Sequence, residues 1–170
     1  HMGFVTLGIF LVFAFLDHGA KNMDIANLAL QGAIIQMISH GLISAALFIC
    51  IGIIYARTKS RIINGQSGIV KVMPTFSAFM IFFLLANSGL PGTSGFVGEF
   101  LVLVASMGLN IVYAILASLT LVLAASYSLW LGKRVIFGVP SNQKIISMEE
   151  IKSIEFWTLL ILLILVLIIG

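Results

Sequence analysis

The chain has 170 residues, of which 61% are hydrophobic and 9% are charged, with a formal net charge of +3. An ordinary soluble domain carries about 25% charged residues, so the composition excludes a soluble globular protein and requires lipid or membrane-embedded protein around the chain. The basic residues lie in short segments between apolar runs, which indicates membrane topology and no nucleic-acid partner. The single cysteine, Cys50, cannot form an internal disulfide, and no metal-ligand spacing is present.

In chain order, the charged residues separate long apolar runs that we interpret as membrane-crossing helices. Backbone groups in lipid must pair within their own segment, and these runs are too long for barrel strands. The second run is longer than the about 20 residues that a crossing helix needs, so it can tilt or extend beyond the lipid. The polar segment 18–24 is expected to be exposed to solvent. The sequence predicts an all-α, multi-span transmembrane bundle in a single membrane domain with about five spans: 1–16, 25–56, 72–107 (broken), 111–132 and 156–170.

Two basic segments predict the orientation of these spans. Segment 57–71 carries four basic residues and no acidic one, which places it on the cytoplasmic or matrix side. Lys133 and Arg134 open a second basic segment two crossings later. That segment returns to the same side, so the pattern is self-consistent.

Glu99 is the only formal charge between Lys71 and Lys133. A carboxylate in an apolar span costs about 2.5–3.5 kcal/mol on insertion scales, and such groups usually face protein or a water-filled path. The alternative is a position near the membrane surface. The location near the middle of the uncharged block argues against it and favours a proton-carrying role.

A helix break is predicted just before Glu99. Pro91 lacks an amide hydrogen and removes one helical hydrogen bond, and Gly89, Gly92 and Gly95 loosen the backbone around it. Such a break is tolerated at membrane depth only where protein or water surrounds it. A packing kink remains the alternative. Four flanking polar residues are expected to satisfy the freed backbone groups: Asn87, Ser88, Thr93 and Ser94.

His40 is the second candidate for proton transfer, because histidine titrates near neutral pH. Gln36 and Ser44 lie four residues before and after it, so the three residues form a polar stripe on one helix face. A buried histidine that only packs is the alternative. His1 is open to two interpretations, a native residue of the first span or the remnant of an expression tag.

Three segments resemble subunit 4 (subunit M in bacteria) of NADH:quinone oxidoreductase, respiratory complex I: 1–5, 36–42 and 89–100, with 124–130 fitting the same family. The resemblance implies an antiporter-like fold of two inverted repeats, each with a broken helix, of which this chain is the C-terminal portion. It also implies that Glu99 is the channel carboxylate, that His40 and His1 belong to a central polar axis, and that His1 is native. The lysine and glutamate of the other half-channel are not in this sequence.

The resemblance further implies proton translocation coupled to NADH oxidation and quinone reduction elsewhere in the complex. The expected partners are other membrane-arm subunits, including neighbouring antiporter-like subunits, and the lipid bilayer. The expected location is the mitochondrial inner membrane or the bacterial plasma membrane. No phosphate loop, dinucleotide fingerprint or set of haem or iron–sulfur ligands occurs in the sequence. NADH, FMN, iron–sulfur clusters and quinone are therefore expected in other subunits, with no cofactor and no redox chemistry in this chain.

Three alternatives compete with this assignment, of which the first is disfavoured and the last two remain open. A multi-subunit sodium/proton antiporter shares the implied fold, but a lysine is expected there at the position of Glu99. A membrane-bound hydrogenase subunit has the same ancestry. A purely structural membrane segment with a packing kink is the third.

Overall fold

The computed structural model describes residues 1–17, 23–63, 65–140 and 143–170, with the side chains of Asp17 and Lys144 outside the description. Within these ranges the regular structure is helical, which confirms the all-α fold. Most of segment 18–24, predicted to be exposed, lies outside the described residues, but Asp24 is described and is exposed. The seven α-helices are α1 (Met2–Asp17), α2 (Met23–Thr58), α3 (Pro74–Asn87), α4 (Ser94–Leu109), α5 (Ile111–Val135), α6 (Gln143–Ile146) and α7 (Ser153–Ile169).

By length and composition, two of the described helices could each cross a membrane alone, namely α2 and α5. Four shorter helices are also apolar: α1, α3, α4 and α7. The predicted third span consists of α3 and α4 with a non-helical connection at 88–93, which confirms the broken helix. Asn110 separates α4 from α5, and its side chain accepts a hydrogen bond from the N–H of Val112 at 2.8 Å, so it caps the N-terminus of α5.

Glycines allow α2 to approach α1 and α4 closely. A Cβ atom at Gly8 of α1 would lie 2.9 Å from the carbonyl oxygen of Ala29, and one at Gly32 of α2 would lie 2.9 Å from the Cβ of Leu101 on α4. Small residues at helix crossings bring the backbones together in membrane bundles. The result is a tight three-helix contact that holds α4 against the middle of α2.

The apolar core consists of two clusters of buried side chains. One joins the C-terminal half of α2 to α3 and α7 through residues such as Ile53, Phe83 and Leu159. The other joins α1, the N-terminal half of α2 and α4 through residues such as Ala29 and Val102. Polar residues of α2 and α4 lie between the two clusters, at the level of the helix break.

The basic end of α2 is tied to the polar segment before α7. Arg57 donates two hydrogen bonds to the carboxylate of Glu155, at 3.1 and 2.7 Å, and others to the backbone carbonyl oxygens of Glu149 and Glu150. The Glu150 carboxylate accepts hydrogen bonds from the N–H groups of the first turn of α3. These contacts fix the start of α3 relative to α2 and α7.

Lys133 and Arg134 are exposed at the end of α5.

Candidate functional site

The break between α3 and α4 is stabilised by local hydrogen bonds. Gly89 has a φ of +78°, in the left-handed region that favours glycine. The Ser88 hydroxyl donates to the carbonyl of Leu85 at 2.9 Å, and the Thr93 hydroxyl donates to the carbonyl of Leu90 at 2.7 Å. Ser88 and Thr93 therefore satisfy freed carbonyl groups, as the sequence predicts.

Other residues near the break have different roles from those expected. Gly95 lies in the first turn of α4 and not in the break itself. A Cβ there would be 2.7 Å from the carbonyl oxygen of Ala86, so this glycine allows α4 to pack on the end of α3. Ser94 hydrogen-bonds the hydroxyl of Ser39 on α2 at 2.8 Å, and Asn87 donates to Tyr127 of α5. These polar groups connect the break to neighbouring helices.

Glu99 lies in the second turn of α4 and is only 2% exposed. Its Oε1 atom lies 2.7 Å from Nδ1 of His1 and accepts a hydrogen bond from Nε2 of Gln36 at 3.1 Å. Gln36 is likewise 2% exposed. The Oε2 atom of Glu99 accepts no hydrogen bond from the described residues, and a Cβ at Gly89 would lie 3.0 Å from it. The carboxyl group therefore has one paired oxygen and one that faces the break.

His1 connects Glu99 to α5. Its Nε2 atom lies 3.1 Å from the hydroxyl of Tyr127, which also accepts a hydrogen bond from Asn87 at 3.1 Å. When Nδ1 of a neutral His1 carries the proton and donates to an ionised Glu99, Nε2 accepts from Tyr127. The chain from Glu99 through His1 and Tyr127 to Asn87 thus joins α4, the start of α1, α5 and the end of α3.

His40 lies next to this series of hydrogen-bonded side chains but forms no hydrogen bond with any of them. Its ring stacks on that of His1, with 6.0 Å between the ring centroids and 27° between the planes. Among the described residues, no partner hydrogen-bonds the His40 ring. The Ser44 hydroxyl donates to the backbone carbonyl of His40, so Ser44 does not continue the predicted side-chain stripe. Gln36 instead points to Glu99.

Two cavities border the pair formed by His1 and Glu99. One of about 240 Å³ is lined by the pair together with Phe4 of α1 and Thr120 and Tyr127 of α5. A much smaller void, of about 10 Å³, lies between the pair, Gln36 and His40, close to the smallest volume that holds one water molecule. Glu99 lines both cavities, and the smaller one is also bordered by the polar side chains of Ser39 and Asn87.

The geometry permits proton transfer between a carboxyl group and an imidazole. In the short contact between His1 and Glu99, one proton can lie on the imidazole or on the carboxyl group. The net charge of the pair is the same in both states. Uptake of a further proton changes that charge by one, inside a site buried among apolar helices. Buried ionisable groups in membrane helices mark ion and proton pathways.

Sequence reasoning placed Glu99, His40 and His1 as separate candidates, and the structure brings the three together. The sequence analysis did not identify Tyr127 and Asn87 as hydrogen-bond partners within the site. Their signal was weak, because a tyrosine and an asparagine near helix ends commonly satisfy backbone groups or meet water. Only the packing of α3 against α5 shows that they meet.

Together, the helices, the break and the buried carboxyl group define a multi-pass membrane protein with an ionisable site at a broken helix. Residues 1–125 match the family described as NADH:quinone oxidoreductase/Mrp antiporter, TM. The chain belongs to this family, and it is a membrane protein of mitochondrial or bacterial type.

Relatives and a solved structure agree with this assignment. The chain is 45% identical over its full length to NADH-ubiquinone oxidoreductase chain 4 of Chondrus crispus, covering 32% of that protein. It is 43% identical over 91% of its length to NADH-quinone oxidoreductase subunit M of Rhodobacter capsulatus, covering 28% of it. It also matches a chain of respiratory complex I from Thermus thermophilus, with a TM-score of 0.86 and 25% identity over the whole chain and 33% of that chain. The chain spans about a third of the length of these relatives, and its placement in their C-terminal portion stays a prediction.

Proposed function

We propose that this chain forms a proton-translocating part of a membrane-arm subunit of NADH:quinone oxidoreductase, with Glu99 and His1 as the proton-carrying pair. The observation that carries the proposal is the 2.7 Å contact between the Glu99 carboxyl and the His1 ring, buried beside a helix break. A helix break at membrane depth gives a carboxyl group polar surroundings that a continuous helix does not offer. Membership of the family and the names of the relatives support the same function.

In this proposal, the oxidation of NADH and the reduction of quinone take place in other subunits. Those subunits hold NADH, FMN, the iron–sulfur clusters and quinone, and this chain contributes no redox chemistry. Its partners are neighbouring membrane-arm subunits, including antiporter-like ones. The names of the relatives support this assembly, since they are chains of NADH oxidoreductases or belong to respiratory complex I.

The test is Glu99→Gln in the assembled, full-length complex. Glutamine keeps the shape of the side chain and a hydrogen bond to His1 but cannot take up a proton. We expect normal assembly with reduced proton pumping and reduced quinone reduction. Glu149→Gln is the matched control, because the Glu149 side chain is exposed. Intact coupling with full activity in Glu99→Gln would overturn the proposal.

His40 has a secondary role in this proposal, because its ring stacks on that of His1 without a hydrogen bond to Glu99. His40→Ala is expected to reduce pumping less than Glu99→Gln. An unchanged rate would support the interpretation of His40 as a packing residue.

The family description also names Mrp antiporters, so sodium transport is the second candidate function. The glutamate at position 99, where a lysine is expected for that class, disfavours it. Replacing sodium by potassium in the pumping assay is expected to leave the rate unchanged. A rate that requires sodium would favour the antiporter alternative.

A further inference from the structure

We propose that Gln36 is a positioning residue that fixes the carboxyl group of Glu99, so that Oε1 faces His1 and Oε2 faces the helix break at Gly89. The two oxygens then serve opposite sides of the proton path. This inference rests on the proposed function and adds to it the orientation of the proton carrier.

The Gln36 side chain is confined by packing, although its Oε1 atom is buried without a hydrogen-bond partner among the described residues. The residue is buried on α2 at a close crossing with α4, opposite Gly98. A Cβ atom at Gly98 would lie 2.6 Å from Oε1 of Gln36 and 2.8 Å from its backbone nitrogen. With so little room, the amide keeps its Nε2 atom directed at Glu99, to which it donates at 3.1 Å.

The two carboxyl oxygens of Glu99 differ in their surroundings. Oε1 has two partners, Gln36 and His1, while Oε2 has none among the described residues although it is buried. A buried carboxyl oxygen without a partner is costly, and each such atom in a native structure calls for an explanation. Oε2 lies against Gly89 in the break, where a Cβ atom would come within 3.0 Å of it.

This orientation allows a proton to pass without rotation of the carboxyl group. A neutral Glu99 that takes a proton at one oxygen releases the proton held at the other. One proton enters and one leaves, and the group remains neutral. Transfer at Oε1 exchanges the proton with Nδ1 of His1, and in this proposal transfer at Oε2 exchanges it with a water molecule that enters the break at Gly89. If the carboxyl group rotated freely, either oxygen could face His1 or the break, and the two directions of proton transfer would no longer be separated.

The first test is Gln36→Met in the assembled complex, compared with Glu99→Gln. Methionine fills a similar volume but has no amide donor. We expect pumping and the coupled quinone turnover to fall about threefold to tenfold, as for the loss of one hydrogen bond, while the KM for quinone stays the same. The infrared carbonyl band of protonated Glu99, identified by its absence in Glu99→Gln, is expected to shift. Either unchanged pumping or an unchanged band would overturn the proposal.

A second pair of variants tests the side that faces the break and does not depend on the folding of the first. Gly89 and Gly92 both have positive φ, +78° and +87°, so an alanine is strained at either position. At Gly89 the added Cβ would lie 3.0 Å from Oε2, whereas at Gly92 it meets no described atom within 4 Å. Gly89→Ala is therefore expected to lose about tenfold more pumping than Gly92→Ala at similar assembly.

The outcomes separate the two proposals. Equal losses in Gly89→Ala and Gly92→Ala would overturn the assignment of Oε2 to the break. Loss of pumping in Glu99→Gln with full pumping in Gln36→Met would overturn the positioning role alone and leave the proposed function standing. Full pumping in Glu99→Gln would overturn the proposed function. In that case the infrared band would still decide whether Gln36 orients the carboxyl group.

Discussion

The contact between Gly98 on α4 and Gln36 on α2 allows helix packing to be tested for its effect on proton pumping. Gly98→Ala adds one methyl group at a crossing where the two helices nearly touch. The added Cβ would lie 2.8 Å from both the backbone nitrogen and the Cβ of Gln36. Because these atoms belong to the helix and not to the end of a flexible side chain, α2 and α4 must move apart.

The size of that movement follows from the distances. Opening a 2.8 Å contact to the 3.4 Å of ordinary van der Waals contact requires a displacement of about 0.6 Å. A displacement of that size along the hydrogen bond lengthens the 3.1 Å distance between Gln36 and Glu99 to at most about 3.7 Å, which is no longer a hydrogen bond. Overpacking of a tight core costs about 1–3 kcal/mol, so both stability and pumping are expected to fall.

The assay is thermal unfolding and proton pumping of the assembled complex that carries Gly98→Ala. Gly41→Ala on α2 is the control, since a Cβ there meets no described atom within 4 Å outside its own helix. Alanine is favoured over glycine in a helix by about 1 kcal/mol, so the control is expected to be as stable as the parent protein or more so. Equal stability and pumping in the two variants would refute the packing argument.

Two further predictions concern the contacts at the basic end of α2, and a third concerns the site. The hydrogen bond from Arg57 lowers the pKa of Glu155, in the polar turn before the apolar run of α7. Its stabilisation is therefore complete above the unfolded pKa of about 4.3 and is lost as pH falls through the folded pKa. Arg57→Met should flatten this acid dependence in thermal unfolding, and an unchanged slope would refute the assignment. Glu150→Ala removes the acceptor for the first N–H groups of α3 and should cost about 1 kcal/mol, whereas no change in melting temperature would contradict the capping role. Tyr127→Phe keeps the ring but removes the hydroxyl bonded to His1, and pumping should slow about threefold to tenfold; an unchanged rate would exclude the hydroxyl from the path.

The fold class was predictable because its causes are local in the sequence. Long apolar runs without charge have few ways to satisfy their backbone in lipid, and a helix is the simplest. The break was predictable for the same reason, because Pro91 and the positive φ of Gly89 and Gly92 act on their own stretch of backbone. Such features depend on neighbouring residues and need no knowledge of how helices pack.

The partners of Glu99 depend on packing, and the sequence could not supply them. Gln36 lies 63 positions before Glu99, and His1 lies 98 positions before it. The helical spacing correctly grouped Gln36 with His40 on one face of α2. It could not show that Gln36 faces α4 while Ser44 bonds its own backbone, since that depends on the contacts made by Gly98 and Gly32.

The position of Glu99 relative to the break explains why the two occur together. A carboxyl group in a continuous apolar helix pair would have both oxygens against hydrocarbon or fixed partners, and it would stay in one protonation state. Here Gln36 of α2 and His1 hold one oxygen, while the other lies against Gly89 in the irregular backbone of the break. Filling the space at Gly89 or removing the amide of Gln36 should therefore impair the same carboxyl group from opposite sides. If the two oxygens act in one relay, the double variant Gln36→Met with Gly89→Ala should lose much less than the product of the single losses. Losses that multiply would show that the two oxygens act independently.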